Sequence, residues 1–411
     1  MATLARSASR VGTFSALRHP NFRLYFAGQV VTMAGMWMQN VAQGWLVFQL
    51  TRSELALGMV ACAAGVPSLL LSPFAGVIVD RFPRRMLLFC TQSVQMIMAL
   101  ILAALVFSEL VQVWHVVVMA FVLGISNSVD APARQAFIRD MVGMEDMPSG
   151  INLHSMVVNG ARIVGPAAAG VLLVSFGAGW CFLFNGLSVL AILISLLVMN
   201  VPHRIPGVGR GSPIRQMQEG IAFSRHHATI LPLLMLAVVV SAFAVNIITL
   251  LPAYADVVLH SPVEGLSRLS MAQGVGALGG ALLLATLVRR FGRGRVVGIM
   301  LPLLSLSIVL ISQTAILEIS ALLLAIIGFS MVIFYVNINT MIQNEVPDEF
   351  RGRVLSLYTL TFLGLTPLGA LALGLIADQI GTPSALALYG LLTGVFGTLI
   401  LMRWRAVWHI A

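Results

Sequence analysis

The chain has 411 residues, 59% of them hydrophobic and only 9% charged, against about 25% charged in ordinary soluble domains. So few charges cannot cover a water-facing surface, which excludes a soluble globular protein. The formal net charge of +9 follows the pattern of a membrane-orientation signal rather than that of a nucleic-acid-binding patch.

Residues 1 to 21 are rich in Ala, Ser and Arg and lack the apolar core of a cleavable signal, so the first apolar segment is expected to be a retained helix. Apolar runs of about 20 residues, enough to cross a bilayer, recur along the chain. They predict twelve spans, near 24–50, 56–79, 86–107, 113–138, 150–175, 181–200, 230–254, 266–288, 296–314, 319–342, 354–377 and 385–402. The first carries Gln29, Thr32, Met33, Met36, Asn40 and Gln43 at spacings that place them on one helical stripe. In lipid such a stripe must face protein or water. Cys62, Cys90 and Cys181 all fall inside apolar runs and read as packing residues without disulfides.

After the second span comes GVIVDRFPRR, Gly76 to Arg85. A glycine lets a neighbouring helix approach closely, and Asp80 at a span end can pair with Arg81, Arg84 or Arg85 or cap a helix. The bland alternative is that these arginines only orient the loop. Two charges fall deep inside spans, where an unpaired charge costs several kcal/mol. At 1.5 Å per residue, Asp130 lies roughly 14 Å up the fourth span from Arg139, and Arg162 roughly 17 Å up the fifth from Ile151. Two readings of this pair stand: Asp130 and Arg162 face each other and protonation of Asp130 couples protons to transport, or they form a permanent ion pair fixing two helices. In the fifth span GARIVGPAAAG surrounds Pro166 with Gly160, Gly165 and Gly170, a composition suited to close packing and a kink.

The longest hydrophilic stretch, Val201 to His227, lies at the midpoint. Within it Ser212 and Pro213 read as an N-cap and first-turn pair, followed by Ile214, Met217 and Ile221 at helical spacing, which predicts a short helix on the membrane surface. The chain thus divides into an amino-terminal bundle with its tail (1–203), a linker (204–228) and a carboxy-terminal bundle with its tail (229–411). In the eighth span GVGALG, Gly274 to Gly279, matches a dinucleotide fingerprint by spacing alone; no strand precedes it, so it reads as a helix-packing run.

The chain contains no lysine, and 21 of its 24 arginines lie in the tails, in alternate loops or at the adjoining helix ends. The positive-inside rule makes those loops and both termini cytoplasmic. Without lysine there is no Walker A loop. The eight histidines are scattered, no metal or cofactor site is expected, and no nucleophile, base and orienter set suggests an enzyme. Sliding the chain by 204 residues superposes Gly124 on Gly328, Ser126 on Ser330, Val142 on Val346, Gly165 on Gly369 and Gly170 on Gly374, and a shift of 209 aligns GVIVDRFPR with ATLVRRFGR. Two related six-helix halves with a site at their interface are the plan expected of such a repeat.

On these residues the chain resembles the major facilitator superfamily over nearly its whole length. Gly76 to Arg85 is similar to that family's signature between helices two and three, with Pro83 where many members have glycine. Gly160 to Gly170 is similar to its antiporter signature, with Ala169 in place of a glycine. HPNFRLYFAGQ, WMQNVAQGWLVFQLT and VPDEFRGRVLSLY resemble a bacterial branch that includes the enterobactin exporter and related drug efflux proteins. The resemblance implies an all-α fold of twelve transmembrane helices in two pseudo-symmetric bundles, with Asp80 and its arginines as a cytoplasmic gate. Helices one, four, seven and ten would line a cavity, so that Asn246, Thr249, Tyr335 and Asn339 join the first-span stripe as its wall. It also implies proton-coupled export of drug-like or siderophore-like small molecules by a monomer in contact with lipid in the bacterial inner membrane. A lipid flippase and a non-transporting sensor or assembly factor are the rival functions.

Overall fold

A computed structural model describes residues 14–200 and 213–409, and every regular element among them is helical. The amino-terminal half contains α1 (Pro20–Thr51), α2 (Glu54–Arg81) and α3 (Arg84–Phe107), then a run from Val113 to Ser175, and α6 (Ala178–Val198). Gly143, at φ 75° and ψ −177°, divides that run into α4 (113–142) and α5 (144–175); a side chain there would be strained, so the chain reverses at the one residue that lacks one. A linker helix (Pro213–His226) leads to the second half: α7 (Ile230–Val258), α8 (Glu264–Phe291), α9 (Arg293–Ile311), α10 (Leu317–Glu345), α11 (Asp348–Ile380) and α12 (Thr382–Arg403).

Ten described stretches are long and apolar enough to cross a membrane, with Val113–Ser175 counted once. Splitting it at Gly143 and adding α1, whose polar stripe lowers its hydropathy, gives the twelve spans expected. The N-cap role assigned to Ser212 lies outside the described residues. The linker helix itself packs on α11, with Phe223 stacked on Phe350 at 4.4 Å between ring centroids and Glu219 paired with Arg353 at 3.2 Å.

Helix–helix association in lipid relies on small residues that let backbones meet, and these contacts reveal the symmetry. A Cβ on Gly124 of α4 would strike the carbonyl of Ala64 in α2, and one on Gly328 of α10 would strike that of Gln273 in α8. The two glycines are 204 apart and their partners 209 apart, the two registers of the sequence repeat. Between the halves the same operation exchanges partners. Gly170 of α5 meets Ser267 of α8, while Gly374 of α11 meets Gly58 of α2; Gly65 of α2 meets Pro367 of α11, while Gly274 of α8 meets Arg162 and Ile163 of α5. The halves therefore touch along α2–α11 and α5–α8, as a two-fold axis between them requires. Gly276 and Gly280 press on the backbone of α10 at Ala325 and Phe329, so GVGALG is a helix-packing run.

Twelve crossings bring both ends of the described chain to one side, called here the terminal side. Side-chain hydrogen bonds between the halves lie at the opposite, far side: Arg52 to Asp256, Ser53 Oγ to Asp378 at 2.9 Å, and Thr382 Oγ1 to Glu54 at 2.8 Å. The four glycine contacts just described lie in the far-side half of their helices, and Gly364 of α11 meets Leu69 of α2 at mid-helix.

Candidate functional site

Between the halves lies a cavity of about 880 Å³, of the size of small-molecule sites in general. Its wall is largely apolar. The polar exceptions are Asn40 and Gln43 with Trp37 on α1, His154, Ser155, Asn159 and Arg162 on α5, Thr249 on α7, Ser270 and Gln273 on α8, and Tyr335, Tyr358 and Thr359 on α10 and α11. Pro166 of the GARIVGPAAAG run also lines it. Gly165 is pressed against α1 at Ala34 and Trp37, which fixes α5 beside the cavity, whereas a Cβ on Gly160 meets nothing within 4 Å.

α7 reaches the cavity as an irregular helix, with a tight turn over Ala244–Leu250 and a wide one over Tyr254–Val258. Pro252 has no N–H to return to Ile248. The Asn246 side chain is buried and donates to the carbonyls of Ser241 and Ala242 at 3.0 and 2.7 Å, so Asn246 shapes this turn instead of lining the wall. Thr249 does line it.

The first-span stripe is divided by the same logic. Asn40 and Gln43 reach the cavity. Lower down, Gln29 and Thr32 are buried in their own half, where Thr32 donates to the Ser188 carbonyl at 3.0 Å and Gln29 accepts from Arg134. Met33 and Met36 pack with Val157 and Ala161. Asn339 accepts from Gln343 one turn away on α10 and is not part of the wall, while Tyr335 is. No residue of α4 lines the cavity; α5, α8, α2 and α11 do so beside α1, α7 and α10.

The expected pairing of Asp130 with Arg162 is corrected. Asp130 is buried and pairs with Arg134 one turn along α4; it accepts from Arg134 Nε at 3.1 Å and from its Nη2, from Thr91 Oγ1 at 2.8 Å and from Gln92 Nε2 at 2.9 Å. Arg134, grouped in the sequence reading with the loop-facing arginines, is buried too and ties α4 to α1 through Gln29. The i,i+4 spacing of Asp130 and Arg134 was the available signal. Arg162 instead faces the cavity with its guanidinium 5.0 Å from the Trp37 ring, and its buried Nε has no hydrogen-bond partner.

The gate residues are apart in this structure. A Cβ on Gly76 meets nothing within 4 Å. Arg84 reaches both oxygens of Asp140 at 2.6 and 2.7 Å, and Arg85 donates to the Leu197 carbonyl at 2.8 Å, both within the same half. Among the described residues neither Asp80 nor Arg81 has an ion-pair partner. Among the described residues, no hydrogen bond of Arg84 or Arg85 crosses to the other half.

The family described as transmembrane secretion effector, a major facilitator group, matches residues 11–407. The chain belongs to it. This transport protein is 25% identical over 390 residues to the staphyloferrin A transporter of Staphylococcus aureus, covering 90% of this chain and 93% of that one. It is 25% identical over 376 residues to macrolide efflux protein A of Streptococcus pyogenes, covering 89% and 92%. A crystal structure of a POT family transporter in complex with 5-aminolevulinic acid shares the fold at a TM-score of 0.77, with 12% identity over 94% of this chain and 96% of that one. The transporter's sequence-predicted wall is thus retained at Asn40, Gln43, Thr249 and Tyr335. It gains Arg162, already marked by its depth in the fifth span, and Trp37, His154 and Gln273, which no single-helix pattern singles out, because they converge only after the halves pack.

Proposed function

We propose that the chain is a proton-driven exporter of amphipathic or hydrophobic small molecules, working by alternating access as a monomer in the bacterial inner membrane with both termini cytoplasmic. The observation that carries this reading is the roughly 880 Å³ cavity between two symmetric halves, whose side-chain hydrogen bonds to one another, among the described residues, lie beyond its far side. An open cavity of this size argues against a sensor whose site is filled by its own side chains. The names of the siderophore and macrolide relatives support small-molecule cargo over lipid.

Export then consists of exchanging the ties. The far-side set, Arg52 to Asp256, Ser53 to Asp378 and Thr382 to Glu54, opens, while Gly76, Asp80, Arg81, Arg84 and Arg85 form the cytoplasmic gate, with Gly76 the point of closest approach. Arg162 keeps its proton at all working pH values, and Asp130 is held by four hydrogen bonds, the bonding of a fixed anion. His154 is the imidazole on the cavity wall, a group that can hold or release a proton as access to the cavity changes, and we assign it the coupling proton.

The test is accumulation of a panel of amphipathic dyes in everted vesicles under an imposed proton gradient. Gradient-dependent uptake that an uncoupler abolishes is expected, and His154→Gln should lose it while retaining exchange of cargo across the membrane without a gradient. Movement of labelled lysophospholipid with no dye uptake overturns the exporter reading. Full proton-driven uptake by His154→Gln overturns the assignment of the coupling proton to His154.

A further inference from the structure

Arg162 is the one charged side chain among the described residues of the cavity wall, apart from the titratable His154; no Asp or Glu lines it. The one buried carboxylate among the described residues, Asp130, is already engaged by Arg134. A guanidinium stays ionised and carries five N–H donors in its plane, and leaving such a charge unpaired at membrane depth is costly. Trp37 at 5.0 Å covers a face of the group, a contact that uses none of the in-plane donors. The buried Nε remains without an acceptor. Gly274 fixes the backbone from the other half, since a Cβ there would lie 2.7 Å from the Arg162 carbonyl. The cation is therefore held at the α5–α8 contact, aimed into an otherwise apolar space, with its acceptor missing.

We propose that the acceptor arrives with the cargo: Arg162 is the binding residue for a carboxylate on an otherwise apolar molecule, whose aromatic or aliphatic body fills the wall between Trp37, Tyr335 and Phe362. Planar, bidentate pairing is what arginine offers a carboxylate. The ligand's charge neutralises the cavity, and because Arg162 sits where α5 meets α8, an occupied site differs from an empty one at the contact between halves. This inference rests on the central cavity being the cargo site.

The test uses two fluorescent probes of one shape, dansylglycine and its neutral amide dansylglycinamide, titrated against the purified full-length protein in detergent. The wild-type chain is expected to bind the carboxylate about tenfold more tightly than the amide. Arg162→Gln should abolish that preference while keeping the amide affinity, and Arg162→Lys should keep part of it. The wild-type arm requires no variant to fold: equal affinities, or no binding of dansylglycine, overturn the proposal, as does a preference that survives in Arg162→Gln. If the preference is found but everted vesicles move neither probe, the exporter reading fails and the Arg162 assignment stands. If vesicles move both probes equally in wild type and Arg162→Gln, the reverse holds.

Discussion

Arg134 and Arg162 stand on successive helices of the same half, and their surroundings are opposite. Around Arg134 everything is complementary: Asp130 neutralises it, Gln29 accepts from it, and Thr91 and Gln92 satisfy the remaining lone pairs of Asp130. Three helices, α1, α3 and α4, meet on this cluster. Around Arg162 there is an aromatic face, an apolar cavity and no anion. A buried charge with its partners in place fixes a structure. One presented to a cavity without a partner spends stability on something outside the fold.

The largest effect expected from this contrast is on folding. Asp130→Asn leaves Arg134 buried beside a neutral amide, and removing one member of a buried pair costs about 3–5 kcal/mol. Low yield and a lowered melting temperature in detergent should follow, and adding Arg134→Met should restore much of the loss by removing the stranded charge. Arg162→Met, by contrast, should melt at or above the wild-type temperature. If Asp130→Asn melts like wild type, or Arg162→Met unfolds the chain, the two arginines do not divide structure from function in this way.

A smaller effect separates the two sides of the bundle. Gly65 is packed on Pro367 across the halves, and Gly76, eleven residues on in the same helix, faces open space. Gly65→Val must push α11 away, an overpacking penalty of about 1–3 kcal/mol, so it should favour the conformation open on the far side. Gly274→Val, its symmetry image against α5, should do the same. Gly76→Ala should leave the present conformation unaffected and penalise only the one in which the gate closes. Labelling rates of single cysteines on the far side, in a background lacking Cys62, Cys90 and Cys181, measure the shift.

How much of this was legible in the sequence depended on how local the cause was. The spans were set by apolar length, and the repeat by glycines whose partners obey the same two offsets. Gly143 was not recognised as the sole break between α4 and α5, because the polar residues around it suggested a longer loop, whereas the helix runs through them on either side. Arg134 was hidden by its closeness to Arg139 and to the turn read as cytoplasmic, although its spacing from Asp130 was visible. The stripe on α1 was read as one wall, yet its lower part faces α4, α5 and α6. Which part of a 32-residue helix meets the cavity is decided by the pressing of Gly165 on Trp37 and Ala34, a contact between residues far apart in sequence. For the same reason Gln273 and His154 carried no signal of their own.

The smallest effect concerns the far-side ion pair. Arg52 and Asp256 join α1 to α7 across the halves, but the Arg52 side chain is 65% exposed, and exposed pairs contribute about 0–1 kcal/mol. Arg52 also ends α1 in a left-handed conformation, at φ 52°, which a substitution to Gly accommodates and most others retain at similar strain. Arg52→Gln should therefore leave the melting temperature unchanged within a degree or so and move the balance between conformations by less than tenfold, in the direction of far-side opening. High salt should reproduce the shift in wild type and add nothing in the variant, because screening removes the same interaction. Distances between spin labels placed at the far ends of α1 and α7 read this directly. A shift far larger than tenfold would mean that this pair, and not the glycine contacts along α2–α11 and α5–α8, holds the far side shut.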